Sequence, residues 1–181
     1  MEIDFEKQFL DLQKKVNKID KGTKDQLTMV VFSGDLDKIL AAMIISVGAA
    51  AMDTEVKLFF TFWATAALRD KKKSAKGKSF IGKMFGMMLP KGTTKLKLSK
   101  MQMGGMGSKM IKGIMKKQDV SSLEEMFETA GKLGVQINVC EMSMDLMGLK
   151  KEEFIDYPNM NICGVATFLA DADKSKVQLF I

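Results

Sequence analysis

Two side chains in this sequence become strong nucleophiles on ionisation, the thiols of Cys140 and Cys163. Cys140 ends an apolar run, Val135 to Cys140 (VQINVC), and is followed by Glu-Met-Ser-Met-Asp. If the run is a strand and the next residues open a helix, the thiol stands at the carboxyl edge of a sheet beside free backbone N–H groups. Such groups stabilise a thiolate, the form that attacks sulfur and other electrophiles. The Ser143 hydroxyl and neighbouring N–H groups could hydrogen-bond a sulfur anion, while Glu141 and Asp145 oppose ionisation. The competing reading is a buried, inert strand cysteine. Cys163, in Asn-Ile-Cys-Gly-Val, is expected at the start of a helix, as a second, resolving thiol or as a structural one. A disulfide needs Cα atoms within about 7 Å, and sequence separation does not set that distance.

Other chemistry is narrowed by what is missing. The chain has no His, which removes Ser-His-Asp and Cys-His pairs, His-ligated zinc and imidazole proton shuttling. Two cysteines are too few for an all-cysteine zinc or iron–sulfur centre within one chain, so neither metal nor cofactor is expected. Gly77-Lys78-Ser79 resembles the end of a phosphate-binding loop, but Lys72 stands where its first glycine belongs and no strand leads into it. Gly104-Gly105-Met106-Gly107 lacks the strand that must precede a dinucleotide turn. The loop Ser33-Gly34-Asp35 does follow a strand-like run. It fits either a tight turn with a helix N-cap or the lip of an anion site.

The elements that would position these groups follow from hydrophobic periodicity. Leu27 to Phe32 (LTMVVF) is nearly continuously apolar, as in a parallel strand buried on both faces. Leu36 to Met52 is an Ala/Ile-rich helix pattern and Thr54 to Phe60 (TEVKLFF) a second strand. Phe62 to Arg69 is expected helical. Ser121 to Glu125 supplies a hydroxyl cap with Glu three residues on, opening a helix that stops at Gly134. A short helix from about Ser143 to Gly148, a helical stripe through Val165, Phe168 and Leu169, and a last strand over Val177 to Ile181 complete the alternation. Strands alternating with helices imply right-handed crossovers and a mostly parallel sheet, with ligands beyond its carboxyl ends.

Residues 1–22 form a separate amphipathic helix with Phe5, Phe9, Leu12, Val16 and Ile19 on one stripe, expected to pack on the chain's own core or to pair between subunits. Residues 23–181 read as one domain. Within it, residues 71–117 carry 14 Lys, eight Met, eight Gly and no acid, so the formal net charge of +6 belongs to an insert and the remainder is acidic. Phe80, Ile81, Met84, Phe85 and Met88 form one helical stripe there and Met103, Met106, Met110 and Ile114 another; Thr94 to Leu98 (TKLKL) alternates like a short exposed strand. Flexible Met suits a mobile lid or a docking surface, and a basic amphipathic helix can rest on anionic lipid. Specific nucleic-acid readout is not expected, because Arg69 is the single Arg and few rings interleave with the lysines. The N-terminus lacks a basic start and an apolar run, and no stretch approaches about 20 uncharged apolar residues. A cytoplasmic setting is therefore expected, where structural disulfides are rare.

With FSGDLDK at 32–38, FFTFW at 59–63, LSKMQMGGMGSKM at 98–110 and VCEMSMDLMG at 139–148, the sequence resembles the DsrE/DsrF-like family. It is most similar to the family's larger, Met-rich branch, which carries both sulfurtransferase and peroxiredoxin-like labels. The resemblance runs from residue 27 to the end. It implies a three-layer α/β/α domain with a five-stranded, mainly parallel sheet, usually oligomeric, and a role in cytoplasmic sulfur trafficking. Cys140 matches the family block, and the resemblance implies that it takes sulfane sulfur as a persulfide and passes it to another thiol, often on a small TusA-like carrier. The expectation is a homo-oligomeric sulfurtransferase or sulfur carrier with Ser33, Gly34, Asp35 and Ser143 around the sulfur and the insert over it. The alternative is a noncatalytic module that docks an acidic partner or a membrane surface through the insert.

Overall fold

The computed structural model describes residues 5–181, with the side chains of residues 17–21 outside the description. Helix α1 (Phe5–Gly22) precedes β1 (Lys24–Val31), α2 (Leu36–Ala51) and β2 (Glu55–Phe60). A 3-10 helix (Phe62–Leu68) leads to the insert, which carries α3 (Phe80–Met88) and α4 (Met106–Lys117). Then come α5 (Leu123–Lys132), β3 (Gln136–Cys140), α6 (Glu141–Met147), β4 (Met160–Cys163), α7 (Val165–Lys174) and β5 (Ser175–Phe180). Among the described residues five strands form one sheet in the order β4-β3-β2-β1-β5, and every neighbouring pair is parallel.

Side-chain alternation divides the sheet into two unlike faces. Leu27, Met29 and Val31 of β1, Val56, Leu58 and Phe60 of β2, and Ile137 and Val139 of β3 join the main core with Leu36, Ile39 and Met43 of α2 and Leu123 and Phe127 of α5. The intervening residues make a more polar face, with Gln26, Thr28, Lys57, Asn138 and Cys140 beside Val30 and Phe59. Helix α7 covers part of it: Phe168 stacks on Phe59 at 5.3 Å, Asp171 takes the Lys57 ammonium at 2.6 Å, and Gln26 donates to the Asp171 carbonyl at 2.9 Å. The continuously buried β1 run thus hides two environments, one dry and one hydrogen-bonded.

Local signals explain most element ends. Ser122 and Glu125 close a reciprocal capping box at α5, and Gly134 leaves that helix at φ 81°. Ser79 of Gly-Lys-Ser caps α3 by accepting from the Gly82 N–H at 3.1 Å, which accounts for a hydroxyl there without a phosphate.

Four expectations change. Residues 94–98 do not form a strand: Thr93–Lys95 is a 3-10 turn, and the segment beyond it attaches to the core by burying Leu96 and through the Leu36 N–H donating to the Lys97 carbonyl at 2.7 Å. With no neighbouring strand to pair with, alternation alone made no ladder. The fifth strand is instead β4, so Cys163 ends a strand rather than starting a helix. Phe5, Phe9, Leu12 and Val16 of α1 are exposed, so the stripe does not pack on the core; Ile19 lies outside the described side chains. The Met-rich stripes of the insert likewise face outward, apart from Phe85, and Val165 and Leu169 of α7 are exposed.

Candidate active-site thiols

Cys140 is the last residue of β3 and the cap residue of α6, with φ −67° and ψ 112°. Helix α6 begins at Glu141, two residues earlier than the sequence pattern suggested, and has only seven residues. The polar groups nearest the sulfur therefore matter more than any helix dipole. Ser143, fully buried, lies one turn on, and Thr61 follows β2, the neighbouring strand. Their hydroxyl oxygens are 2.8 Å apart, and the Phe62 N–H donates to Ser143 Oγ at 3.0 Å. The pairing that satisfies every group has Thr61 and Phe62 donating to Ser143 and Ser143 donating to the thiol.

The Cys140 thiol is 3% exposed. Burial alone would push its pKa up, but hydrogen bonding by the Ser143 hydroxyl and N–H, with the Thr61 hydroxyl behind Ser143, and by the Met142 N–H outweighs it and brings the value below the ordinary 9.0. Thr61 was not singled out by sequence; its signals were a hydroxyl at the carboxyl end of a predicted strand and its place inside the FFTFW motif.

Cys163 pairs in register with Cys140 across β3 and β4. Both cysteines are free, Cys140 buried and Cys163 partly exposed. The two behave oppositely. Burial, then the negative charges of Cys140, Asp171 and Glu141, raise the Cys163 pKa above 9.0 despite a hydrogen bond with the Thr167 side chain.

Ser33, Gly34 and Asp35 stand on the same carboxyl edge, but after β1, which β2 separates from β3. Ser33 Oγ donates to Asp35 Oδ2 at 2.9 Å, and Asp35 caps α2 by position without a side-chain bond to it. A Cβ on Gly34 would meet the Trp63 carbonyl oxygen at 2.5 Å, so close approach of two loops requires glycine here. The structure thus brings Thr61, Ser143 and Cys163 to Cys140 and sets the Ser33–Asp35 turn further along the rim.

The insert is anchored beside the site. Gly82 of α3 lies against Gly148, the residue that closes α6 at φ 59°. A Cβ on Gly148 would fall 2.3 Å from the Gly82 Cα. Beneath this contact Arg69 and Glu153, both nearly inaccessible, pair at 3.3 Å, and Lys78 also reaches Glu153. The Arg69 guanidinium further donates to the carbonyls of Gly86 at 3.0 Å and Leu89 at 3.2 Å. A cavity of about 540 Å³ lies between α5 and residues 155–158, lined in part by Arg69, Phe127 and Tyr157; neither cysteine borders it. Among the described residues no three acidic, His or Cys side chains converge as a metal site, and no helix is long and apolar enough to cross a membrane.

Comparison with known proteins bears on the fold and the family. The crystal structure of the ychN protein from E. coli matches with a TM-score of 0.50 at 11% identity, covering 86% of this chain and 98% of that one, which speaks for the fold alone. An uncharacterised protein of Bacillus subtilis, YrkE, is 49% identical over 154 residues, 85% of this chain and 95% of its own. The sulfur carrier protein DsrE2 of Allochromatium vinosum is 34% identical over 160 residues, 86% of this chain and 98% of its own. The model of the DsrE/DsrF/DrsH-like family matches residues 23–180. The chain belongs to the DsrE/DsrF/DrsH-like family.

Proposed function

We propose that this protein is a sulfur carrier of a cytoplasmic relay, in which Cys140 holds sulfane sulfur as a persulfide and passes it to a partner thiol. The observation that carries the reading is the position of the Cys140 thiol at the carboxyl end of β3, beside the buried hydroxyls of Ser143 and Thr61, whose hydrogen bonding lowers its pKa despite burial. The sulfur-carrier name of a relative 34% identical over most of both chains supports it. With thiosulfate as donor, the Cys140 thiolate attacks the outer sulfur, the sulfur–sulfur bond of the donor breaks, and sulfite leaves with the electron pair. The same donors that favour the thiolate then favour the persulfide anion. Lysines of the insert draw anionic donors or an acidic carrier of the TusA-like kind toward this edge, with Ser33, Gly34 and Asp35 as its far lip. A homo-oligomer is part of the proposal, since Phe5, Phe9, Leu12 and Val16 present an apolar stripe with no partner on the core.

The test is intact-protein mass spectrometry with peptide mapping after exposure to polysulfide or thiosulfate, on wild type and Cys140→Ser. Added sulfur on Cys140 that disappears in the variant is the expected result. A folded, reduced protein that takes up no sulfur there would refute the reading.

A second reading rests on the exposed Met87, Met88, Met103, Met106 and Met110, interleaved with lysine. Under it the insert docks an acidic protein or an anionic membrane surface and the thiols are passive. Replacing these methionines with Ser should then abolish binding to anionic vesicles or to the acidic partner while leaving thiol reactivity intact; the carrier reading puts the loss of sulfur uptake at Cys140 instead.

A further inference from the structure

The registered pairing of Cys140 with Cys163 carries a step beyond persulfide formation. Partners in adjacent parallel strands stand about 4.8 Å apart, and their side chains leave the same face of the sheet. Here that face is the polar one, where Thr167 of α7 reaches Cys163. A persulfide extends the Cys140 side chain by one further sulfur–sulfur bond, about 2 Å. That brings the outer sulfur within reach of the neighbouring thiol.

Burial makes such a step useful. Cys140 is almost closed to solvent, whereas Cys163 is partly exposed on β4, an edge strand with an unpaired side. A macromolecular thiol can approach the second far more readily than the first. We propose that sulfane sulfur loaded on Cys140 hops across the strand pair to Cys163, which presents it to the acceptor. The proposal rests on the carrier reading above and names the exit station of the same site.

The chemistry balances without an oxidant or a reductant. The Cys163 thiolate attacks the outer sulfur of the protonated Cys140 persulfide. A bond forms between that sulfur and Cys163 Sγ, the bond to Cys140 Sγ breaks, and Cys140 leaves as a thiolate. The transferred sulfur keeps its oxidation state and its proton, and one negative charge moves from Cys163 to Cys140. A more basic attacking thiol and a more acidic leaving thiol are the favourable combination for exchange at sulfur, and the environments of the two residues differ in that sense. The Cys140 charge also helps keep Cys163 protonated. Transfer of the Cys163 proton to the Cys140 persulfide anion gives this reacting pair, so the site carries a single negative charge throughout.

The experiment follows position and release together. Wild type, Cys140→Ser and Cys163→Ser are exposed briefly to polysulfide, desalted, quenched with an alkylating agent at intervals and peptide-mapped; release to glutathione is timed in parallel. Wild type should carry sulfur first on Cys140 and then on Cys163. Cys163→Ser should load at Cys140 but discharge roughly tenfold more slowly or worse, and Cys140→Ser should leave Cys163 unloaded. Cys163→Ala serves as a second variant should Ser disturb the strand. Discharge of Cys163→Ser at the wild-type rate, loading of Cys163 without Cys140, or a Cys140–Cys163 disulfide with released sulfide would each overturn the hop while leaving the Cys140 persulfide standing. Absence of sulfur from Cys140 in wild type would remove the carrier reading itself.

Discussion

Ser143→Ala tests most directly whether hydrogen bonding prepares the Cys140 thiol. A hydrogen bond to a charged group is worth about 1.5 kcal/mol at the low end, so its loss lowers the thiolate population roughly tenfold at pH values below both titrations. A more basic thiolate is intrinsically more reactive, with a Brønsted slope of about 0.4–0.5, which returns about threefold. The net expectation, in a Cys163→Ser background so that one thiol reports, is alkylation about three- to fourfold slower near neutral pH. On the alkaline plateau the variant should be about threefold faster. This crossing is diagnostic, because a general loosening of the site would speed reaction at every pH. Thr61, which donates to Ser143 in the native site, can turn toward the sulfur and blunt the effect; Thr61→Val combined with Ser143→Ala should enlarge it. The Phe62 N–H loses its acceptor in the variant, costing about 1–3 kcal/mol of stability, which thermal melting measures separately. Equal alkylation rates for the parent and the folded variant at both ends of the profile would refute the argument.

Glu153→Gln should destabilise the protein by about 3–5 kcal/mol in denaturant titrations, because it leaves the Arg69 and Lys78 charges near a buried site without their counter-charge. Tyr157 is the only Tyr, and burial pushes its pKa far above the ordinary 10.0 while its O–H donates to the Val135 carbonyl at 2.8 Å. Its ultraviolet titration should show no phenolate until the fold is lost, and its contribution to stability, full below about pH 10, should fall as pH rises beyond that. The two thiols should affect stability with opposite sign. The lowered Cys140 pKa gives a contribution that is full above 9.0 and lost as pH falls through the folded value; the raised Cys163 pKa gives one that is full below 9.0 and lost as pH rises. Urea titrations of Cys140→Ala and Cys163→Ala across the alkaline range should therefore diverge from wild type in opposite directions.

The parts legible in the sequence were those governed by local pattern. LTMVVF, TEVKLFF and VQINVC each became a strand, and Ser122 with Glu125 fixed the start of α5, because alternation and capping act over a few residues. The strand at Met160–Cys163 was not legible: four residues between Asn159 and Gly164 carry too little periodicity, and only pairing beside β3 makes them a ladder. TKLKL had the alternation but no neighbour to use it. Cys140 was a candidate from its place at a strand end and from family resemblance, whereas Thr61 came beside it only when β2 and β3 were laid side by side. The pairing of the two cysteines is likewise a property of strand order, which sequence separation does not encode.

The contact of Gly82 with Gly148 makes the insert and the thiol site one unit against opening. Backbone lies directly on backbone there, so α3 cannot tilt away without uncovering the end of α6 and the buried ions beneath it. Amide hydrogens of α3 and α6 should therefore exchange with solvent at a common free energy rather than as an early-melting flap over a stable base. The methionines on the outer side of α3 are then held at fixed spacing before any partner arrives. Binding there would spend little on ordering the helix, and whatever docks on it would meet a surface already referenced to the sulfur of Cys140.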